Sequence, residues 1–395
     1  MQEIELDVLR IAHGGVAVAE VDGRVVFVAD TIPGERVLAR VTDDRHDRFW
    51  RAETVRVLEP SPDRVPHVWA AAAVDRPPAE RAGGAEFGHI APDRQRALKT
   101  EVLRDALGRI GRLPEPEIAA LTPEVLEVPG RPDGTRSRTR VRLHVDRAGR
   151  VGPYAARSKR VVPVDDLPLA VEPLERILPS RARGRELDLV AAGTEAFAAG
   201  PRDARPPVVE RVGDRGFRLE ALGFWQVHPA APQVLTAAVR AAVDPALLDP
   251  AADNLDLYGG VGLLAAALAG DRDVRVTTVE SDGAASAHAA SNLADLPRAR
   301  AVAARVDAYL ADRVARPGAT IVLDPPRSGA GAEVVDAITA SGPAQVVYVA
   351  CDPVALARDL GTFADRGWRA VSLQAFDLFP NTHHLEAVAR LVPAH

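Results

Sequence analysis

Residues 254–262 read NLDLYGGVG, and this stretch decides the fold. Leu255 and Leu257 give a short apolar strand. Tyr258-Gly259-Gly260-Val261-Gly262 turns it into a helix that continues to Ala269. Glycines at such a turn let the backbone approach a ligand closely. Glu280 ends the next predicted strand, Val274 to Glu280. It lies roughly 20 residues on, where a carboxylate can bind ribose hydroxyls. Gly260, Gly262 and Ala265 nearly meet the dinucleotide pattern, so this stretch alone suits a nicotinamide dinucleotide as well as S-adenosylmethionine.

Downstream, strands and helices alternate. Helices are expected over Ala230–Val243, Gly283–Leu293, Gly331–Ala340 and Pro353–Phe363. Strands are expected over Thr320–Asp324, Gln345–Ala350, Trp368–Leu373 and Glu386–Val392. This alternation predicts an α/β, Rossmann-like domain with a mostly parallel, doubly wound sheet. In such sheets the active crevice lies at the carboxyl ends of the strands. Gly260, Glu280, Asp324 and Cys351 all fall at strand ends and are expected to converge there. Asp324-Pro325-Pro326-Arg327 has the shape of the segment that base-modifying methyltransferases set beside their methyl donor, which favours S-adenosylmethionine over a nicotinamide.

The 395 residues suffice for two or three domains. With 47% apolar and 26% charged residues, a globular chain with real cores is expected. No apolar run spans a membrane, and the start, MQEIE, has no apolar signal core, so a cytoplasmic protein is expected. The single cysteine, Cys351, excludes a disulfide or a cysteine-ligated zinc or iron–sulfur site within one chain. A lone cysteine is either a buried hydrophobe or a nucleophile. The net charge of −6 argues against a basic coat but leaves room for a local basic groove.

Upstream, residues 1–60 read as five short strands: Glu3–Ile11, Val16–Val21, Arg24–Ala29, Arg36–Thr42 and Arg51–Leu58, with an Asp22-Gly23 hairpin turn. Their spacing predicts a small closed barrel. The run GGVAVAEVDGRVVFVADTIPGERVLARV resembles a TRAM domain, an OB-like RNA-binding barrel. Arg45, Arg48, Phe49, Trp50 and Arg51 form a basic–aromatic cluster that suits single-stranded nucleic acid, although Trp50 serves barrel packing equally well. Residues 61–95, rich in proline, read as a linker. A helix follows over 93–112, with Leu98, Val102, Leu103, Leu107 and Ile110 on one face. Residues 125–225 read as a mixed, mostly β segment. In it Arg136 to Val145, taken as a strand, would line Arg136, Arg138, Arg140 and Arg142 along one face, with Arg157, Lys159 and Arg160 nearby, as an RNA-backbone contact.

The motifs FWQVHP, LDLYGGVG, VLDPPRSG, YVACDP with ARD, and LFPNTHHLEAV occur in order over 224–388. Together they resemble the RNA uracil-5-methyltransferase family, which makes 5-methyluridine in tRNA and 23S rRNA. The resemblance implies a TRAM/OB-like barrel (1–60), a linker (61–95), a central RNA-binding domain (96–225) and a Rossmann-like methyltransferase domain (226–395). It implies S-adenosylmethionine as cofactor, held by Gln226, Tyr258, Gly260, Glu280 and Asp324, with Asp307 a further candidate. It makes Cys351 the nucleophile and Glu386 the base, and RNA the partner of a monomeric enzyme, with 23S rRNA favoured over tRNA because of the barrel. Many relatives hold an iron–sulfur cluster before the first long helix. Here RAGGAEFGHIAPDRQRALK lacks the cysteines, so no cluster is expected. Two further departures are His228 and Asp352, where the family carries asparagine.

The chemistry suits these residues. Carbon 5 of uracil attacks a sulfonium methyl poorly, and thiolate addition at carbon 6 turns the ring into an enolate that attacks well. A base must then remove the carbon 5 proton. Positioned donors, with Arg327 and His384 as candidates, steady the enolate oxygen. The uridine must be unstacked to be reached. The competing readings are a nicotinamide-dependent oxidoreductase, which needs no Cys351–Glu386 pair, and an RNA-binding protein that has lost catalysis, which His228 and Asp352 motivate.

Overall fold

The structure, a computed structural model, describes residues 2–156, 158–200, 203, 206–270, 273–312 and 314–394. Arg157, one of the basic residues noted above, lies outside them. The chain divides into two compact units, each discontinuous in sequence. One holds residues 1–102, 129–204 and 379–384. The other holds 103–128, 205–378 and 385–395.

The elements run in this order. The chain opens with β1 (Glu3–Ala12), β2 (Val16–Val21), β3 (Arg24–Ala29), β4 (Arg36–Asp43) and β5 (Phe49–Glu59). α1 (Pro92–Arg109), α2 (Glu115–Leu121) and β6 (Val125–Leu126) follow. Next come β7 (Arg140–Val145), β8 (Val151–Gly152), α3 (Glu172–Arg176), β9 (Glu186–Ala192) and β10 (Glu195–Ala199), then the hairpin β11 (Pro207–Val212) and β12 (Arg215–Glu220). The last stretch comprises α4 (Ala231–Ala242), β13 (Asn254–Leu257), α5 (Leu263–Ala269), β14 (Val276–Glu280), α6 (Gly283–Asn292), β15 (Ala299–Ala303), α7 (Val306–Leu310), β16 (Thr320–Leu323), α8 (Ala332–Ser341), β17 (Gln345–Ala350), α9 (Pro353–Asp365), β18 (Trp368–Phe376) and β19 (Glu386–Pro393).

In the first unit β1–β5 close into the expected barrel, in the order β1-β2-β3-β5-β4. Alternate residues point inward as the pleat requires: Val26 and Val28, Val37 and Ala39, and Ala52 are fully buried. Trp50 packs one face on this core while Arg24 lies 4.4 Å over its ring, so it serves the barrel and still presents a cationic surface. Residues 61–91 form no long element, yet Trp69, Phe87 and Ile90 are buried. Ala82 and Ala85, in the stretch that lacks cysteines, pack in one apolar cluster with Trp69 and Leu167.

The basic strand is shorter than its sequence suggests. Arg136 adopts φ +57°, outside the extended region, and the ladder begins only at Arg140. Arg136 is tied to Glu175 at 2.6 Å and Arg142 to Asp188 at 2.8 Å. Arg138 is buried, donating to the Gly84 carbonyl and facing Glu86. Three arginines of the expected row are therefore paired within the chain, although the Arg142 side chain stays 61% exposed. Ile110, placed on the buried helix face by periodicity, is 45% exposed because α1 ends at Arg109. This unit also encloses a cavity of about 800 Å³ whose wall includes Glu86, Arg138, His144, Tyr154 and His383.

The second unit is built on an eight-stranded sheet in the order β15-β14-β13-β16-β17-β19-β18-β6. β15 through β17 are mutually parallel, and β19 runs antiparallel to both β17 and β18. The central strands are wholly apolar or internally bonded, as a sheet covered on both faces demands: Leu255, Leu257, Ile321, Leu323, Val346 and Tyr348 are fully buried. No helix among the described residues is long and apolar enough to cross a membrane.

Candidate active site

At the carboxyl end of β13 the chain makes a turn that few residues accept. Tyr258, Gly260 and Gly262 have φ of +62°, +53° and +90°. Gly259 lies so close to β14 that a Cβ there would overlap the Thr278 hydroxyl and stand 2.5 Å from Asp256 Oδ2. Glu280, at the end of β14, accepts the Gly260 N–H at 3.0 Å through Oε2 and the Asp282 N–H at 2.7 Å through Oε1. These bonds fix the carboxylate beside the glycine turn. Gln226 is partly buried ahead of α4. Asp307, in the first turn of α7, pairs with Arg305 at 2.6 Å and accepts the Ala308 N–H, and the Arg305 bond holds its carboxyl below the usual range. Tyr258 is half-buried, and burial, with Asp307 and Asp359 adding to it, pushes its phenol up to about 12.

Under this turn lies a carboxyl that sequence reasoning passed over. Asp256 is buried in β13; its Oδ2 accepts the Ala265 N–H and the Thr278 hydroxyl, each at 3.0 Å. Its Oδ1 is buried and has no hydrogen-bond partner among the described residues. Burial raises this group to about 7 against the two bonds. A polar residue inside an apolar strand run was the signal that would have flagged it.

The ends of β16, β17 and β19 bring together the other predicted residues. Ala350 lies opposite Ala387, so Cys351, just past β17, adjoins Glu386 at the start of the antiparallel β19. The thiol is partly buried; burial, then the charges of Glu386, Asp324 and Asp352, push it up to about 12, while Arg327 opposes them. Glu386 is 3% exposed, and burial followed by Asp324 raises it well above the carboxylate range. Asp324 is raised to about 7 by burial and then by Asp256. This is an acid-rich crevice in which the Arg327 guanidinium acts on both the thiol and Glu386. His384 belongs to the first unit, where its ring meets Phe379 and His383.

Both departures from the family pattern have a local explanation. Asp352 caps α9, accepting the Val354 and Ala355 N–H groups at 3.0 and 2.8 Å, a role aspartate and asparagine fill equally well. His228 is buried and accepts the Ala230 N–H through Nδ1 at 3.1 Å, just ahead of α4. Burial lowers it to about 4, which keeps it neutral and able to accept.

The raised carboxyls have a measurable consequence. Asp256 and Asp324 hold their protons more tightly when folded than when unfolded, so their contribution to stability is greatest at low pH and falls as pH rises from about 4 through about 7. Glu86, held near 2 against burial by its pairing with His383, acts in the opposite sense below that window, and His228 and His89, lowered from 6.5 by burial, act in the opposite sense within it. The urea midpoint should therefore decline from about pH 6.5, above the range in which the histidines titrate, to about pH 8. Asp256→Asn should flatten that decline, and a slope unchanged by the substitution would show that Asp256 is charged in the folded chain.

A strand, a glycine turn into a helix, a carboxylate fixed at the next strand's end and an antiparallel final strand define the S-adenosylmethionine-dependent methyltransferase class. Comparisons sharpen this. A family model described as tRNA (Uracil-5-)-methyltransferase matches residues 311–392. An uncharacterized RNA methyltransferase of Streptomyces coelicolor is 38% identical over 100% of this chain and 93% of its own. The 23S rRNA (uracil(1939)-C(5))-methyltransferase RlmD of Pseudomonas fluorescens is 30% identical over 97% of this chain and 93% of its own. The crystal structure of a Pyrococcus abyssi tRNA (uracil-54, C5)-methyltransferase in complex with S-adenosyl-L-homocysteine shares the fold, with TM-score 0.70, 21% identity and coverage of 98% and 99%. The chain belongs to the RNA uracil-5-methyltransferase family, whose members are S-adenosylmethionine-dependent enzymes.

Proposed function

We propose that this enzyme methylates carbon 5 of a uridine in 23S rRNA, with Cys351 as covalent nucleophile and Glu386 as base. The observation that carries this reading is the clustering of Cys351, Glu386, Asp324 and Arg327 at adjoining strand ends. Gln226, Tyr258, Gly260, Glu280 and Asp324 hold the methyl donor. The fit is supported by the Glu280 carboxylate fixed at the glycine turn and by the tight backbone that Gly259 permits. When bound, the donor supplies an electrophilic methyl.

The residues then act in order. Cys351 gives up its proton to the Asp324 carboxylate and its sulfur bonds to carbon 6, leaving an enolate whose oxygen Arg327 steadies. Carbon 5 takes the methyl. Glu386 removes the carbon 5 proton, the carbon–sulfur bond breaks, and the thiolate leaves. Burial helps here, since a raised carboxyl is a strong enough base to accept a carbon-bound proton.

We assign RNA holding to the barrel (1–60) and the central domain (96–225), and the cytoplasm as compartment. Support comes from the aromatic–cationic surface of β3 and β5, where Arg24 covers Trp50 and Arg51 lies 5.5 Å from the Phe49 ring. The rRNA preference is supported by full-length similarity to an rRNA-modifying relative. The test is RNA carrying 5-fluorouridine, whose fluorine cannot leave as a proton. A 23S fragment should give a denaturation-resistant adduct, a tRNA transcript none, and Cys351→Ser no adduct with either. RNA binding without any adduct from the parent enzyme would favour a binding protein that has lost catalysis.

A further inference from the structure

A second buried acid in the same unit lies outside this chemistry. Asp359, on α9, has no exposed surface. Its Oδ2 accepts the Tyr348 hydroxyl at 2.6 Å, the Ala330 N–H at 2.7 Å and the Gly331 N–H at 3.3 Å. Its Oδ1 accepts Arg358 Nε and Nη2 at 2.9 and 2.7 Å, and that Nη2 also donates to the Ser328 carbonyl at 2.7 Å. The Tyr348 oxygen in turn accepts the Ala330 N–H at 3.0 Å. Between these ties Gly329 adopts φ +79°, and a Cβ there would stand 2.5 Å from both Asp359 Oδ2 and Arg358 Nη2.

The backbone of residues 328–331 is thus tied to one carboxylate, directly at Ala330 and Gly331 and through Arg358 at Ser328. Two glycines with positive φ make this loop costly to order without such an anchor. The loop begins at Asp324 and carries Arg327, whose side chain is exposed and whose charge acts on Cys351 and Glu386. An exposed guanidinium on a flexible stem is placed only as well as its backbone. Burial and the neighbouring Asp359 raise the Tyr348 phenol, so it remains a donor throughout the working pH range.

We propose that Tyr348 and Asp359 are positioning residues, which hold the 324–331 loop so that Arg327 faces the reactive thiol. This rests on the reading of Cys351 as nucleophile, but its test does not use RNA or methyl donor. Because Cys351 is the only cysteine in the chain, alkylation reports on one thiol. The ratio of its rates with anionic iodoacetate and neutral iodoacetamide cancels access and thiolate fraction and leaves the local charge.

Arg327→Gln should lower that ratio about fivefold, the effect of one nearby unit charge in water. Asp359→Asn should lower it to the same level, and in the Arg327→Gln background it should change nothing further. Tyr348→Phe, which keeps the carboxylate and loses the two bonds of the hydroxyl, should give an intermediate ratio, and it carries the same cycle if Asp359→Asn does not fold. A ratio unchanged by both substitutions, or lowered equally with and without Arg327, would overturn the proposal. Failure of the fluorouridine adduct with this cycle intact would instead sink only the nucleophile assignment.

Discussion

Glu386→Gln should leave RNA bound to the enzyme through Cys351 and reduce turnover by a factor on the order of 10³. Addition to carbon 6 and methyl transfer precede the step that needs the base, so both should still occur. Proton removal from carbon 5 should stall, and ordinary uridine RNA should then behave as the fluorinated RNA does with the parent. The measurement is a denaturing gel with labelled RNA and labelled methyl donor, in which one shifted band carries both labels. The amide matches the carboxyl in shape, and Glu386 is already held toward its protonated form by burial and Asp324. Folding should therefore survive. A Gln variant that turns over at the parent rate would remove Glu386 from the mechanism, and a variant with RNA bound but no adduct would mean that the carboxylate is needed earlier, to accept the thiol proton.

The second large effect belongs to Gly259. Its φ is not in the left-handed region, so Gly259→Ala is not strained by conformation. It is excluded by space. The added methyl would fall onto the Thr278 hydroxyl and within 2.5 Å of Asp256 Oδ2. Both partners are buried and bonded to one another, so neither can swing aside cheaply. The glycine turn must move, and with it the Gly260 N–H that holds Glu280. Calorimetric titration should show S-adenosylmethionine affinity falling by about 100-fold, which corresponds to about 2.7 kcal/mol. Thr278→Ala, which removes the obstructing hydroxyl, should restore part of the affinity in the double variant. Unchanged affinity in Gly259→Ala would place the donor elsewhere.

The sequence was most readable where local chemistry and burial agree. Barrel strands β2 and β3 match their expected limits, because an Asp-Gly turn and strict alternation fix both ends. β17 likewise matches, bounded by a glycine-proline pair and the cysteine. The edge strand β15 and the short α7 were missed. Ala299-Arg300-Ala301-Val302-Ala303 lies at the sheet margin, is only partly buried, and has no apolar face strong enough to mark it.

The Arg136–Val145 segment failed for a different reason. Alternation of arginine with small residues suits a charged strand, but three of the arginines find partners far along the chain, namely Glu175, Gly84 and Asp188. At the site, strand-end positions of Glu280, Asp324 and Cys351 followed from topology. Asp256 and Asp359 did not, since each works through contacts between elements that only the folded chain brings together.

The antiparallel placement of β19 also bears on which insertions and deletions descendants of this chain can tolerate. The connection before Leu385 is itself held in place, with Asn381 fully buried and bonded to Gln95 and to the Asp133 carbonyl. A single codon gained or lost within Glu386–Pro393 would turn the 386 carboxyl to the opposite side of the sheet, silencing the enzyme while leaving a well-folded protein behind. Lineages should thus hold both the length of that connection and the phase of the final strand.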